Sequence, residues 1–399
     1  MTRRYLIFGC ATILTTNLAV QGTAQVYQSD LPVSHPAIRY FQDADNVVSR
    51  IAKKIDTLPA LLDALHINAD SQALVFSKTS FQATKISPHN PRAIYFNDDA
   101  AVGWVPGGAG IEVAAFDPKQ GAVFYILNNG EFKRSEVCLR CHQGPATMGV
   151  PGMFVGSVFP NAAGQPHGQG GIITDHRTAF ADRWGGWYVN AKRGEQKDRA
   201  NSVAPDPAEP EALATAGHQN LATLAEFFNP AAYLRPVSDI VALMTFEHQT
   251  QMMNYVTRLN WESRMGRVAE ADVAAAVDYM LFVDEAPLVE PMEGVSSFTK
   301  SFPERGPRDK QGRSLRDFDL QTRLFRYPLS FVVYSPVFDA LPDAVREELY
   351  RGIYGVLSGK DQRKKFARLT DSDRRATLEI LRDTKANLPE YFRTAPVRP

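Results

Sequence analysis

Apolar and polar positions alternate with two different periods along this chain. From Ile38 to Ile55 the residues Phe41, Val48, Ile51 and Ile55 recur at helical spacing, and a second short helix is expected to end near His66. The period then shortens. The segments QALVFSK, RAIYFND, GIEVAAFD and GAVFYIL are short, rich in β-branched and aromatic residues, and separated by turn residues. The last two flank DPKQG, whose Pro118 and Gly121 suit a hairpin turn. This predicts a small antiparallel sheet from about residue 72 to 127, with further strands in GMFVGSVF and GWYVNA. Past residue 220 the pattern is helical again, over about 221–228, 238–259, 268–282, 342–357 and 371–383. Pro342 suits a first helical turn, and Thr370 with Asp373 three residues on has the form of a capping box.

Between Lys197 and Gly217 the chain is poor in large apolar residues and carries Pro205, Pro207 and Pro210, which argues against a packed core there. The expected class is therefore α+β: an N-terminal helical segment and a small antiparallel-sheet domain over 25–196, a linker over 197–218, and a mainly α-helical domain over 219–399.

Charge narrows the partners. Lysine plus arginine equals aspartate plus glutamate at 44 each, so neither nucleic acid nor a charged membrane surface is expected as a partner. Arg3 and Arg4 precede the apolar run LIFGCATIL, and small residues follow in AVQGTAQ. That is the pattern of a secretory signal peptide over 1–24, cut near Ala24, and it predicts a periplasmic protein with no stable membrane span after cleavage. The run is about half the 20 apolar residues that a spanning helix needs. Cleavage removes Cys10 and leaves Cys138 and Cys141 as the cysteines of the exported chain.

Those two stand in EVCLRCHQGP, two residues apart with His142 directly after the second. In an exported chain this is the attachment signature of c-type haem, in which both sulfurs add to porphyrin vinyl groups and the adjacent imidazole binds the iron. A redox-active dithiol and half of a metal site are the other readings. A zinc site needs two more thiolates or imidazoles, and a thioredoxin-like pair belongs to a βαβ setting rather than after an antiparallel hairpin. Through Cys138, Cys141 and His142 the chain resembles the c-type cytochromes. The resemblance implies one covalent haem c, His142 as proximal iron ligand, and a redox partner protein. A sheet ahead of the motif is also similar to the β-sheet-type cytochromes c prime. Gly144, Gly149 and Gly152 with Pro145 and Pro151 follow the histidine, a composition that suits both a close backbone approach to a flat ligand and an ordinary loop.

The occupant of the sixth iron position separates electron carriers from gas binders. His248 is the candidate distal ligand, because Val241, Met244, His248, Met252, Tyr255 and Leu259 form one helical stripe; a core histidine is the competing reading. His176, Met148, Met153 and an open iron are further candidates. Asp98 with Asp99 reads as an acid–base pair or a solvated turn, and Trp184, Trp187 and Tyr188 as a haem wall or aromatic core. Arg308, Arg313, Arg316 and Arg323 read as a docking patch or a solvated mixed-charge stretch. The functional expectation is electron transfer or a haem-dependent redox reaction; the alternative is binding or sensing of a gas or peroxide at an open iron. The helical half is expected either to close over the haem through the 238–259 helix or to serve as a partner-docking domain, and the sequence supports both equally.

Overall fold

The computed structural model describes residues 43–168, 171–209 and 219–394. The signal segment 1–24, Phe41 and the 210–218 part of the expected linker lie outside the described residues. The architecture is mixed α+β, centred on one seven-stranded antiparallel sheet.

The strands β1 (Ala73–Val75), β2 (Arg92–Phe96), β3 (Ala100–Trp104), β4 (Ile111–Asp117), β5 (Gly121–Asn128) and β6 (Glu131–Arg134) form an up-and-down meander. Two short strands, β7 (Val155–Ser157) and β8 (Ile172–Thr174), pair as a separate hairpin, and β9 (Trp187–Tyr188) returns to the outer edge of β1. Strand side chains alternate between faces, so the sheet builds two cores at once. One face carries Leu74, Tyr95, Val102, Val113, Val123 and Tyr125 against α1 (Leu58–Ala64). The other carries Val75, Phe96, Ala101, Ala114, Phe116 and Phe124, and it shares a single apolar core with the helical half.

That second core is organised by α3 (Ile240–Arg264), after the four-residue α2 (Leu139–His142). Asp239 caps α3 by accepting from the Val241 and Ala242 amides at 2.8 and 3.3 Å. The helix is buried almost all round rather than on one stripe. It is backed by α4 (Glu270–Met280), α5 (Phe298–Glu304), α6 (Pro336–Asp339), α7 (Asp343–Leu357), α8 (Asp371–Thr384) and α9 (Glu390–Thr394). The Thr370–Asp373 capping box opens α8 as the sequence predicts, while Pro342 sits one residue ahead of α7 as its N-cap.

Two expected helices are absent among the described residues. Around Asn46 the side-chain oxygen accepts from the Val48 and Ser49 amides, a local turn that competes with helical bonding, while Asn46 Nδ2 donates to Tyr125. Residues 221–228 form turns that bury Leu224 and Phe228 against the first core. The first part of the expected linker is packed, with Asp198, Ala200, Asn201, Ser202 and Ala204 buried, whereas residues 205–209 are exposed. Asn201 exchanges hydrogen bonds with both backbone groups of Val189, and Arg193 pairs with Asp198 at 2.5 Å. Hydrogen bonding thus seats a segment with few large apolar side chains.

Candidate functional site

The cysteine–histidine motif sits on one continuous helical turn, a 3-10 turn over Glu136–Cys138 running into α2. Positions three and four apart share a helix face, so this turn places Cys138, Cys141 and His142 on one side. Both cysteines are free thiols. Cys141 is exposed; Cys138 is half-buried and donates to Ser135 Oγ at 3.6 Å. Burial pushes the Cys138 thiol above its ordinary range.

His142 is gripped at both ends by one residue. Its Nδ1 lies 3.0 Å from the Gly152 carbonyl, and its own carbonyl accepts from the Gly152 amide at 2.9 Å. A carbonyl only accepts, so Nδ1 carries the proton and Nε2 presents a lone pair. Burial pushes the imidazole down to about 4, which keeps the ring neutral near pH 7. Phe124 and Phe154 flank it with ring centroids at 4.8 and 5.2 Å. The loop between is built by Thr147, whose hydroxyl donates to the Val150 carbonyl at 2.7 Å, and by Gly149 at φ 81°. Asn254 on α3 donates to the Met153 carbonyl at 2.9 Å, and its Oδ1 lies where a Cβ on Gly152 would have to go. A side chain at 152 would therefore force Asn254 to shift.

His248, the candidate distal ligand, lies on α3. His248 is fully buried with both ring nitrogens engaged: Nδ1 with His176 Nδ1 at 2.9 Å and Nε2 with Ser330 Oγ at 2.8 Å. Its ring stacks on Tyr279 and Phe282 at 5.3 and 4.3 Å. α3 is buried almost all round, so the stripe that carries His248 packs within the protein in this structure. His176 shares this network, and burial holds both imidazoles well below their usual range. Nearby, Thr174 donates to Glu247 at 2.5 Å and Arg183 pairs with Glu247 at 3.4 Å.

The remaining candidates divide as follows. Met153 is buried, and Met148 is half-buried in a left-handed conformation. Trp184 and Trp187 belong to one core and Tyr188 to the other, so these rings are aromatic core on opposite faces. Asp98 accepts from Arg316 at 2.5 and 3.1 Å, with Arg305 at 3.5 Å, and Arg316 stacks on Phe302 and Phe331. The acidic turn and the basic segment thereby tie the sheet to the helical half. Arg313 and Arg323 pair with Glu379 and Asp373 on α8. Among the described residues no group of three or more His, Cys, Asp or Glu is arranged to hold a metal ion, and no helix is long and apolar enough to cross a membrane.

Sequence reading missed the Gly152 and Asn254 brace, which links positions about a hundred residues apart. Only the Pro151–Gly152 pair hinted at a tight backbone approach. Comparison with family models, curated proteins and solved structures gives no match.

Proposed function

We propose that this chain is a periplasmic c-type cytochrome carrying one covalent haem, with an electron-transfer or haem-dependent redox role. The observation that carries the reading is the His142 tautomer: Nδ1–H is held by the Gly152 carbonyl, so a neutral imidazole offers Nε2 as a metal ligand. Cys138 and Cys141 fit the group as well, being unpaired thiols on the same face of one helical turn. Each S–H would add across one vinyl C=C, forming an S–C bond with the hydrogen going to the other carbon, so attachment needs no oxidant. The bound group supplies one-electron chemistry at iron. The chain's own part is to orient the imidazole through Gly152, wall it with Phe124 and Phe154, and brace the loop from Asn254.

A second reading, binding of a small gas or peroxide at an open sixth position, draws support from the engagement of both His248 nitrogens. The test is the intact mass and absorption spectrum of protein exported from cells with a haem-maturation system. Protein heavier by one haem, with its colour retained through denaturing electrophoresis, is expected, and the Cys138→Ala/Cys141→Ala variant should emerge colourless at the apoprotein mass. Wild-type protein at the apoprotein mass rejects both readings. Low-spin bands in both oxidation states favour electron transfer; high-spin bands favour the open site.

A further inference from the structure

The inner face of the sheet is apolar beneath α3 and changes character at the end nearest the thiols. Phe124, which packs on His142, stands directly opposite Ala114 in the register of β4 and β5. Glu112 lies two residues before Ala114, on the same face and diagonal to Phe124. Arg92 of β2 forms an ion pair with Glu112 by lying across Gly103, the β3 position at which any Cβ would collide with the guanidinium. Glycine at 103 thus makes room for an arginine laid flat on the sheet. The Ser80 hydroxyl donates to the Glu112 carboxylate at 3.1 Å, and Arg92 Nε is buried with no hydrogen-bond partner.

Four large apolar side chains stand exposed in the segments that adjoin these residues in the chain. Phe81, beside Ser80, is 74% exposed. Ile172 and Ile173, in the hairpin that follows Phe154, are 38% and 41% exposed, and Val137, beside Cys138, is 38% exposed. Each lies next in the chain to Cys138 or to a residue that contacts Glu112, or in the short hairpin that follows a ring packed on His142, and large apolar side chains left exposed in this way are uncommon on a surface. Arg92 and Glu112 are also the charged side chains whose fields reach both the Cys138 thiol and the His142 ring.

We propose that the Arg92–Glu112 ion pair is the polar floor of the haem crevice and sets the reduction potential of the iron. This rests on the c-type haem reading above. A positive charge near the iron favours the reduced state and a negative charge opposes it, so the two members of the pair act with opposite sign. In the holoprotein, Arg92→Gln is expected to lower the midpoint potential and Glu112→Gln to raise it. Each change should be about tenfold in the reduction equilibrium, or about 59 mV for one electron. Arg92→Lys keeps the charge and should stay within about threefold of wild type.

Potentiometric titration followed by absorption decides the matter. Opposite shifts of at least threefold in the two Gln variants, with Arg92→Lys near wild type, support the proposal. Shifts below threefold, shifts of the same sign, or an Arg92→Lys shift as large as that of Arg92→Gln overturn it. Should Arg92→Gln fail to fold, Glu112→Gln and Arg92→Lys still test it by the same thresholds. A wild-type chain without covalent haem would instead overturn the underlying reading, by mass alone and before any titration.

Discussion

Two histidine environments stand in contrast in this molecule. His142 sits at the edge of the core with one nitrogen spoken for, by a backbone carbonyl, and its other nitrogen left as a lone pair. His176 and His248 sit in the middle of the core, ring to ring, with Tyr279 and Phe282 stacked on His248 and packed at a tilt against His176. Their Nδ1 atoms face each other at 2.9 Å, so one must donate and the other accept, and the pair cannot be doubly protonated there. The difference between His142 and His248, whose two nitrogens are both engaged, teaches that an imidazole's chemistry depends on how many of its nitrogens the fold consumes. An apolar setting alone does not make a ligand.

The contrast is broken most sharply by removing one ring from each environment. On the proposed haem reading, His142→Ala is expected to abolish the axial absorption signature of the haem-loaded protein while changing the stability of the apoprotein little. His248→Ala should leave that signature intact and cost about 2–4 kcal/mol of stability, because it opens a core cavity and removes the imidazole partner of the Ser330 hydroxyl, which keeps only the Val332 amide. Denaturant titration alongside the spectrum checks both, and a lost signature in His248→Ala would erase the distinction.

A slightly smaller effect is expected from Glu285, whose neighbour Ala286 donates to the His176 carbonyl. Burial pushes the Glu285 carboxyl up to about 7, with its Oε1 accepting from the Leu324 amide at 3.0 Å. A raised acid binds its proton more tightly in the folded state, so its contribution is present below the unfolded value near 4.5 and is lost as pH rises through about 7. Glu285→Gln should flatten this fall and stabilise the protein by up to about 3 kcal/mol above pH 7. Stability measured from pH 5 to 8 reads the slope; an unchanged slope rejects the assignment.

The smallest expected effect is at the edge of the His142 environment. Gly152→Ala drives a methyl group into Asn254 Oδ1 and should cost about 1–3 kcal/mol. It should also perturb the holoprotein spectrum, since the same residue holds Nδ1. A stability loss with an unperturbed spectrum would show that Gly152 is a packing residue only.

The local geometry of the candidate site was legible in the chain. The cysteine and histidine spacing is a property of one helical turn, and a turn is set by neighbouring residues. The Thr370 capping box and the alternation that makes β4 and β5 two-faced are equally local. The stripe carrying His248 was read correctly as apolar, yet apolar periodicity does not reveal whether a helix has one buried face or is enclosed. The 197–204 segment misled for the converse reason: its polar residues pack through hydrogen bonds that composition does not show.

The amino-acid sequence by itself therefore determined the thiol and imidazole constellation, most of the regular elements and the α+β class, because these depend on residues within a few positions of one another. The tertiary structure alone decided which His142 nitrogen is free, that both His248 nitrogens are taken, and that Arg92 and Glu112 meet over Gly103. Those facts depend on sheet register and helix packing between distant segments, where a shift of one residue would turn each side chain to the opposite face.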